Sequence, residues 1–255
     1  MLPVLAYVFC GLLTGIMGGY LGLGGGIIMV PYLTLLMGLD IKMAVPISMA
    51  AIVVNSLASS SEYLKKDMVD LRLVIILGTA MVLGTAIGSS SLAFVPSNYV
   101  RLIFCAVLIY TAILFLRGKG PKSGEAAGAG NGRQLALVFT LTLLGGILAG
   151  LVGVGGGVIV IPLMFFVLGL PLSTARGTSS FIVGFAGATS VAVYLVNGLV
   201  DLSVVSPVML GTILGGRLGG SIGTLAKPTA VRIVFFILLM YVAVKLGYGA
   251  LKEIL

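Results

Sequence analysis

Gly15-Ile-Met-Gly-Gly-Tyr-Leu-Gly-Leu-Gly-Gly-Gly26 returns later in the same chain as Gly146-Ile-Leu-Ala-Gly-Leu-Val-Gly-Val-Gly-Gly-Gly157. The offset of 131, from 15 to 146, then holds without a gap. It pairs Pro31 with Pro162, Gly38-Leu39 with Gly169-Leu170, Ser48 with Ser179 and Tyr63 with Tyr194. It continues through Val69-Asp70-Leu71 and Val200-Asp201-Leu202, and through Arg101 and Arg232. Two unrelated apolar sequences do not keep Gly, Pro, Asp and Arg in one register for so long. The chain is therefore a duplication.

Each copy must live in lipid. Of the 255 residues, 59% are hydrophobic and 9% charged, and the mean hydropathy is +1.24. Soluble domains carry about 25% charged residues, so this chain cannot clothe a globule in water. Apolar runs such as Leu73–Val95, Leu102–Leu116 and Val231–Leu246 approach the ~20 residues that a membrane-crossing helix needs. They show none of the alternation of a β-barrel. The start, MLPVLAYVFC, has no basic n-region and reads as the first membrane segment.

The expected organisation is a first transmembrane repeat over 1–117, a cytoplasmic linker over 118–133 and a second repeat over 134–255. Arg117–Arg133 is rich in Gly, Ala, Ser and charge, as flexible aqueous linkers are. Each copy divides into five segments, near 3–18, 26–38, 43–61, 73–95 and 99–116, then 134–149, 157–169, 174–193, 204–224 and 229–247. Ile27–Met37 spans only about half the hydrocarbon core at 1.5 Å per residue. The expected fold is an all-α polytopic membrane protein of two inverted-topology repeats. Each repeat would be a short broken or re-entrant helical hairpin followed by three transmembrane helices. Five crossings per copy is the alternative, and both odd counts invert the second copy.

The basic residues weigh the orientation. With the linker in the cytoplasm, the inverted arrangement puts Lys65, Lys66, Arg72, Arg117, Lys119, Lys122, Arg133, Arg176, Lys227 and Arg232 inside. Lys42, Arg101, Lys245 and Lys252 fall outside, and Arg217 lies within a span. That is ten against four. A parallel arrangement gives nine against five, so the positive-inside rule favours inversion slightly.

Where chemistry could reside is limited. The chain has no His, and Cys10 and Cys105 lack motif spacing, so neither His-dependent catalysis nor a disulfide or metal framework is indicated. No cofactor is expected. The net charge of +8 sits in short loops and signals membrane orientation rather than nucleic-acid binding.

The first candidate site is the doubled glycine cluster, Gly24, Gly25 and Gly26 with Gly155, Gly156 and Gly157. Backbone without side chains lets an anion approach N–H groups at a helix start. Inversion would bring the two starts to one midplane site, as in transporters with discontinuous helices. Tight helix packing is the structural alternative for the same glycines. The second candidate is the polar opening of each third segment, with Ser48 and Asn55 in one copy and Thr178 and Ser179 in the other. These side chains either supply donors to an oxyanion or bond helix to helix. Arg176 and Arg217 are candidates for gating or charge attraction, with topology and snorkelling as their plain readings. Asp70 and Asp201 read as helix caps.

Two copies of G-x-x-x-G-x-x-G-x-G-G-G-x-x-x-x-P, followed by a G-T-S-type stretch, resemble the TauE/SafE family of sulfite and sulfoacetate exporters over nearly the whole chain. The first copy departs from the polar pattern, with Pro46-Ile47-Ser48 where the second has Gly177-Thr178-Ser179. The resemblance implies a multi-pass carrier in a prokaryotic cytoplasmic membrane. Its substrate would be a small anion that often contains sulfur. The expectation is thus secondary transport by alternating access, with an anion channel, an intramembrane enzyme and a structural membrane subunit as alternatives. The partners are a small anionic substrate and the lipid bilayer; the sequence does not fix the oligomeric state.

Overall fold

A computed structural model describes residues 2–117, 132–223 and 243–245. Among these residues every regular element is a helix. The first copy contains α1 (Leu2–Leu21), α2 (Gly26–Pro31, continuing as a π turn over Tyr32–Leu36), α3 (Ile41–Leu64), α4 (Leu71–Ser91) and α5 (Ser97–Arg117). The second contains α6 (Gly132–Val152), α7 (Gly157–Pro162, with a π turn over Leu163–Val167), α8 (Leu172–Val196) and α9 (Leu202–Gly223). The expected linker, apart from Gly132 and Arg133 at the start of α6, lies outside the described residues. So does the fifth segment of the second copy except at 243–245, with Lys227, Arg232 and Lys252.

The offset of the sequence is an offset of structure. α2 and α7, with their π turns, correspond residue for residue. Left-handed glycines recur at Gly22/Gly153, Gly24/Gly155, Gly25/Gly156 and Gly38/Gly169. Pro31 and Pro162 cannot donate to the carbonyl four residues back, and in both copies the helix widens into a π turn immediately after the proline. Asp40 caps α3 by accepting from Lys42 N–H at 2.8 Å, and Asp70 caps α4 by accepting from Leu73 N–H at 3.1 Å.

Six helices, α1, α3, α4, α6, α8 and α9, are long and apolar enough to cross a membrane. The first segment of each copy is longer than the sequence reading placed it. α1 has 20 residues and α6 has 21, about 30 Å at 1.5 Å per residue. Only the second segment is half-length, Gly26–Leu36 in the first copy and Gly157–Val167 in the second, each entered through left-handed glycines.

The halves exchange helices. α1 packs along α9, where a Cβ on Gly11, Gly15 or Gly19 would strike the backbone of Val208, Thr212 or Gly216 in turn. α6 packs along α4 in the matching way, Gly146 against Met81 and Gly150 against Thr85. These small-residue stripes let backbones approach to contact, which is how helices associate where lipid offers no hydrophobic drive. Both pairs run parallel. α3 also runs parallel to α9, with Asn55 by Gly216 and Ser59 by Gly220. α3 and α8 cross at the centre in opposite senses, with Ser59 against Ser180, Ser56 against Gly184 and Val53 against Gly187. α4 and α8 start together, where Asp70 N–H donates to Thr178 Oγ1. Counterpart helices α1 and α6, α3 and α8, and α4 and α9 therefore run in opposite directions.

Candidate functional site

The two glycine stretches meet. A Cβ on Gly26 would collide with the carbonyl of Gly153, and one on Gly157 would lie 3.0 Å from the carbonyl of Gly22. Gly24 and Gly155 both face Ile52 and Val183, which lie near the middle of α3 and α8 and correspond to each other under the offset. A Cβ on Gly24 would come 2.9 Å from Val183 and 3.0 Å from Ile52. The backbone is left-handed at Gly24 (φ 83), Gly25 (φ 91), Gly155 (φ 83) and Gly156 (φ 70), a conformation that costs other L-residues about 1–2 kcal/mol each. Glycine is needed here both for the turn and for the approach. No hydrogen bond among the described residues uses the N–H of Gly24, Gly25 or Gly26, whereas Gly157 N–H donates to Gly155 O at 2.9 Å. Successive N–H groups in such turns form concavities suited to anions.

The serines hold this junction reciprocally. Ser48 Oγ donates to Gly153 O at 2.8 Å, and Ser179 Oγ donates to Gly22 O at 3.1 Å. Their protons are thus engaged by backbone of the opposite half in this conformation, the helix-bonding role of the two that the sequence left open. Tyr63 and Tyr194 play a matching part. Tyr63 Oη donates to Gly19 O at 3.0 Å, and Tyr194 Oη donates to Gly150 O. Each satisfies a carbonyl that the end of α1 or α6 leaves without a helical partner.

Beyond this frame the symmetry ends. Asn55 is fully buried, with Nδ2 by Gly18 and the Gly25 nitrogen and Oδ1 by Gly216, and neither atom has a hydrogen-bond partner. Its counterpart is Ala186. Arg176 is 8% exposed, lies against Gly22, and holds its guanidinium carbon 5.6 Å from the centre of the Tyr20 ring. That is a cation–π distance. Its counterpart is Val45, which stands against Gly153 in the same way. Ser59 and Ser180 share a hydrogen bond of 2.8 Å at the same end of the α3–α8 crossing.

Other candidates fall elsewhere. Thr178 is buried but accepts from Asp70 N–H at the start of α4, away from the glycine junction. Arg217 lies on the exposed face of α9, close enough to Glu62 to act on its charge, and not in the core. Asp201 sits between α8 and α9, where the hydroxyl and N–H of Ser203 hold its carboxyl below the usual range. Ile52, Val183, Tyr20, Tyr63 and Tyr194 were not among the residues picked from sequence. The shared offset of Tyr63 and Tyr194 was the available signal; Tyr20, whose counterpart is Leu151, and apolar Ile52 and Val183 gave none.

Comparison with known proteins accords with this architecture. The family model described as sulfite exporter TauE/SafE matches residues 7–246. A probable membrane transporter protein of Xylella fastidiosa (strain 9a5c) is 28% identical over 213 residues, covering 83% of this chain and 82% of its own. The probable membrane transporter protein YunE of Bacillus subtilis (strain 168) is 26% identical over 264 residues, covering 94% and 96%. A probable membrane transporter protein of Methanocaldococcus jannaschii is 25% identical, covering 92% and 91%. No solved structure matches. With a match that runs through both copies of the glycine motif and six span-length helices to carry it, the chain belongs to the TauE/SafE sulfite exporter family and is a multi-pass membrane transporter, not an enzyme.

Proposed function

We propose that this protein is a secondary carrier of a small oxyanion, sulfite or a related sulfonate, working by alternating access in a prokaryotic cytoplasmic membrane. The observation that carries the reading is the junction itself. Two side-chain-free, left-handed stretches of backbone touch midway along two crossed helices, and the bonds between them are reciprocal. The opposite directions of counterpart helices support an inverted-topology arrangement, in which each half presents the same surface to opposite sides of the membrane. Rocking one half against the other would part Ser48 from Gly153 and Ser179 from Gly22. That movement would free two hydroxyls and uncover the N–H groups of Gly24–Gly26, Gly155 and Gly156 for the anion. Ile52 and Val183 close the centre, which is how a carrier avoids a continuous pore. The family description supports sulfite as the first substrate to try.

The test is counterflow of radiolabelled sulfite in proteoliposomes. Saturable uptake driven by internal sulfite is the expected result. Sustained single-channel currents would make the protein an anion channel instead, and a lack of sulfite or sulfonate flux in folded protein would reject the reading.

A further inference from the structure

Asn55 carries information about the guest. An amide offers a donor at Nδ2 and an acceptor at Oδ1, and here both are buried and unpartnered. The point that a Cβ on Gly18 would occupy is 2.5 Å from Asn55 Nδ2 and closer still to the nitrogen of Gly25. A side-chain amide and a backbone N–H that no described hydrogen bond uses thus converge on one tightly packed point beside the glycine junction, which the surrounding backbone must yield for a guest to reach. The other end of the amide looks onto Gly216, again at a residue without a side chain. Exchanging the amide O and N leaves the argument unchanged, because one end still requires an acceptor and the other a donor.

A fully ionised oxyanion has only acceptors. It would satisfy Nδ2 and Gly25 N–H but leave Oδ1 facing a like-polarity oxygen. An oxyanion that keeps one proton on oxygen satisfies both ends at once. Such an anion also carries a single negative charge, and Arg176 is the one charged side chain among the described buried polar residues. Burying a dianion there would strand more charge than burying a monoanion.

Resting on the transport reading above, we infer that Asn55 is a specificity-determining residue that selects the hydrogen-oxyanion form of the substrate, hydrogensulfite over sulfite dianion. Sites that hydrogen-bond a substrate hydroxyl reject analogues lacking it, because buried polar groups are then left unpaired.

Competition against radiolabelled sulfite counterflow tests this in proteoliposomes of the full chain. Unlabelled sulfite is compared with methanesulfonate, a monoanion without the proton, across pH values on both sides of the second ionisation of sulfite. The expected result is that methanesulfonate competes about tenfold less well than sulfite at the acid end. Competition by total sulfite should also fall as the dianion replaces the monoanion, while methanesulfonate stays level. In Asn55→Ala, which gives the first half the residue the second half already has at 186, the two anions should compete within about twofold. Equal competition in the unaltered protein overturns the inference and leaves transport intact. So does an Asn55→Ala protein that transports and keeps the full discrimination. Absence of counterflow for every anion in folded protein rejects the transport reading and this inference together. The unaltered protein decides the matter alone if the variant does not fold.

Discussion

The two ends of the α3–α8 crossing differ in chemistry though they share a frame. At one end Gly22 lies against Arg176, Gly18 against Asn55, and Ser59 bonds Ser180. At the other end Gly153 lies against Val45, Ala149 stands where Gly18 would, and Ala186 and Met49 replace Asn55 and Ser180. Backbone, prolines, π turns and reciprocal serine bonds are kept in both. Duplication has thus fixed the geometry that must be symmetric for two halves to interlock, and left the polar groups free to collect on one side. The polar end is that of Lys65, Lys66 and Arg72, the end that the proposed inverted arrangement assigns to the cytoplasm.

The comparison is most easily broken at Arg176. Arg176→Val gives the polar end the residue of its counterpart, and sulfite counterflow should fall about a hundredfold, since a buried cation facing an anion contributes about 2–3 kcal/mol. Val45→Leu, at the apolar end, should stay within about twofold by the same assay. Equal losses at both ends would remove the functional asymmetry.

The frame itself should respond to smaller insults. Gly26→Ala drives a Cβ into the Gly153 carbonyl beside Ser48, whereas Gly157→Ala places it 2.9 Å from Leu23 Cα and 3.0 Å from the Gly22 carbonyl. Both should destabilise by about 1–3 kcal/mol, with Gly26→Ala the worse, as lowered Tm in detergent. The smallest effect belongs to the α3–α4 turn. Asp67 is left-handed (φ 53) where its counterpart is Gly198 (φ 66). Asp67→Gly should change stability by no more than about 0.5 kcal/mol, because relief of the left-handed backbone is offset by the chain entropy of glycine.

Much of this frame was legible in the sequence because glycine, proline and capping aspartate act through the local backbone. Gly22–Gly26 announces a break wherever the chain later goes, and Pro31 marks a distortion from its missing N–H alone. The exchange of α1 onto α9 was not legible, since it depends on how the halves interlock. Nor was the engagement of Ser48 and Ser179 by carbonyls of the opposite half, which lie 105 and 157 residues away in the chain. The exposure of Arg217 had a usable signal. Gly211, Gly215 and Gly219 form a stripe at helical spacing that fixes the packed face of α9, and residue 217 lies off it. Thr178 entered the polar set as a hydroxyl beside Ser179, but its hydroxyl points to the start of α4.

The central claim is that the anion passes where Gly24, Gly155, Ile52 and Val183 meet. A paired Ile52→Cys and Val183→Cys protein, in the background Cys10→Ala and Cys105→Ala, places one thiol from each half at that point. Bridging them with a short thiol-specific cross-linker should arrest sulfite counterflow, and releasing the bridge should restore it. Undiminished counterflow in fully bridged protein would contradict the account.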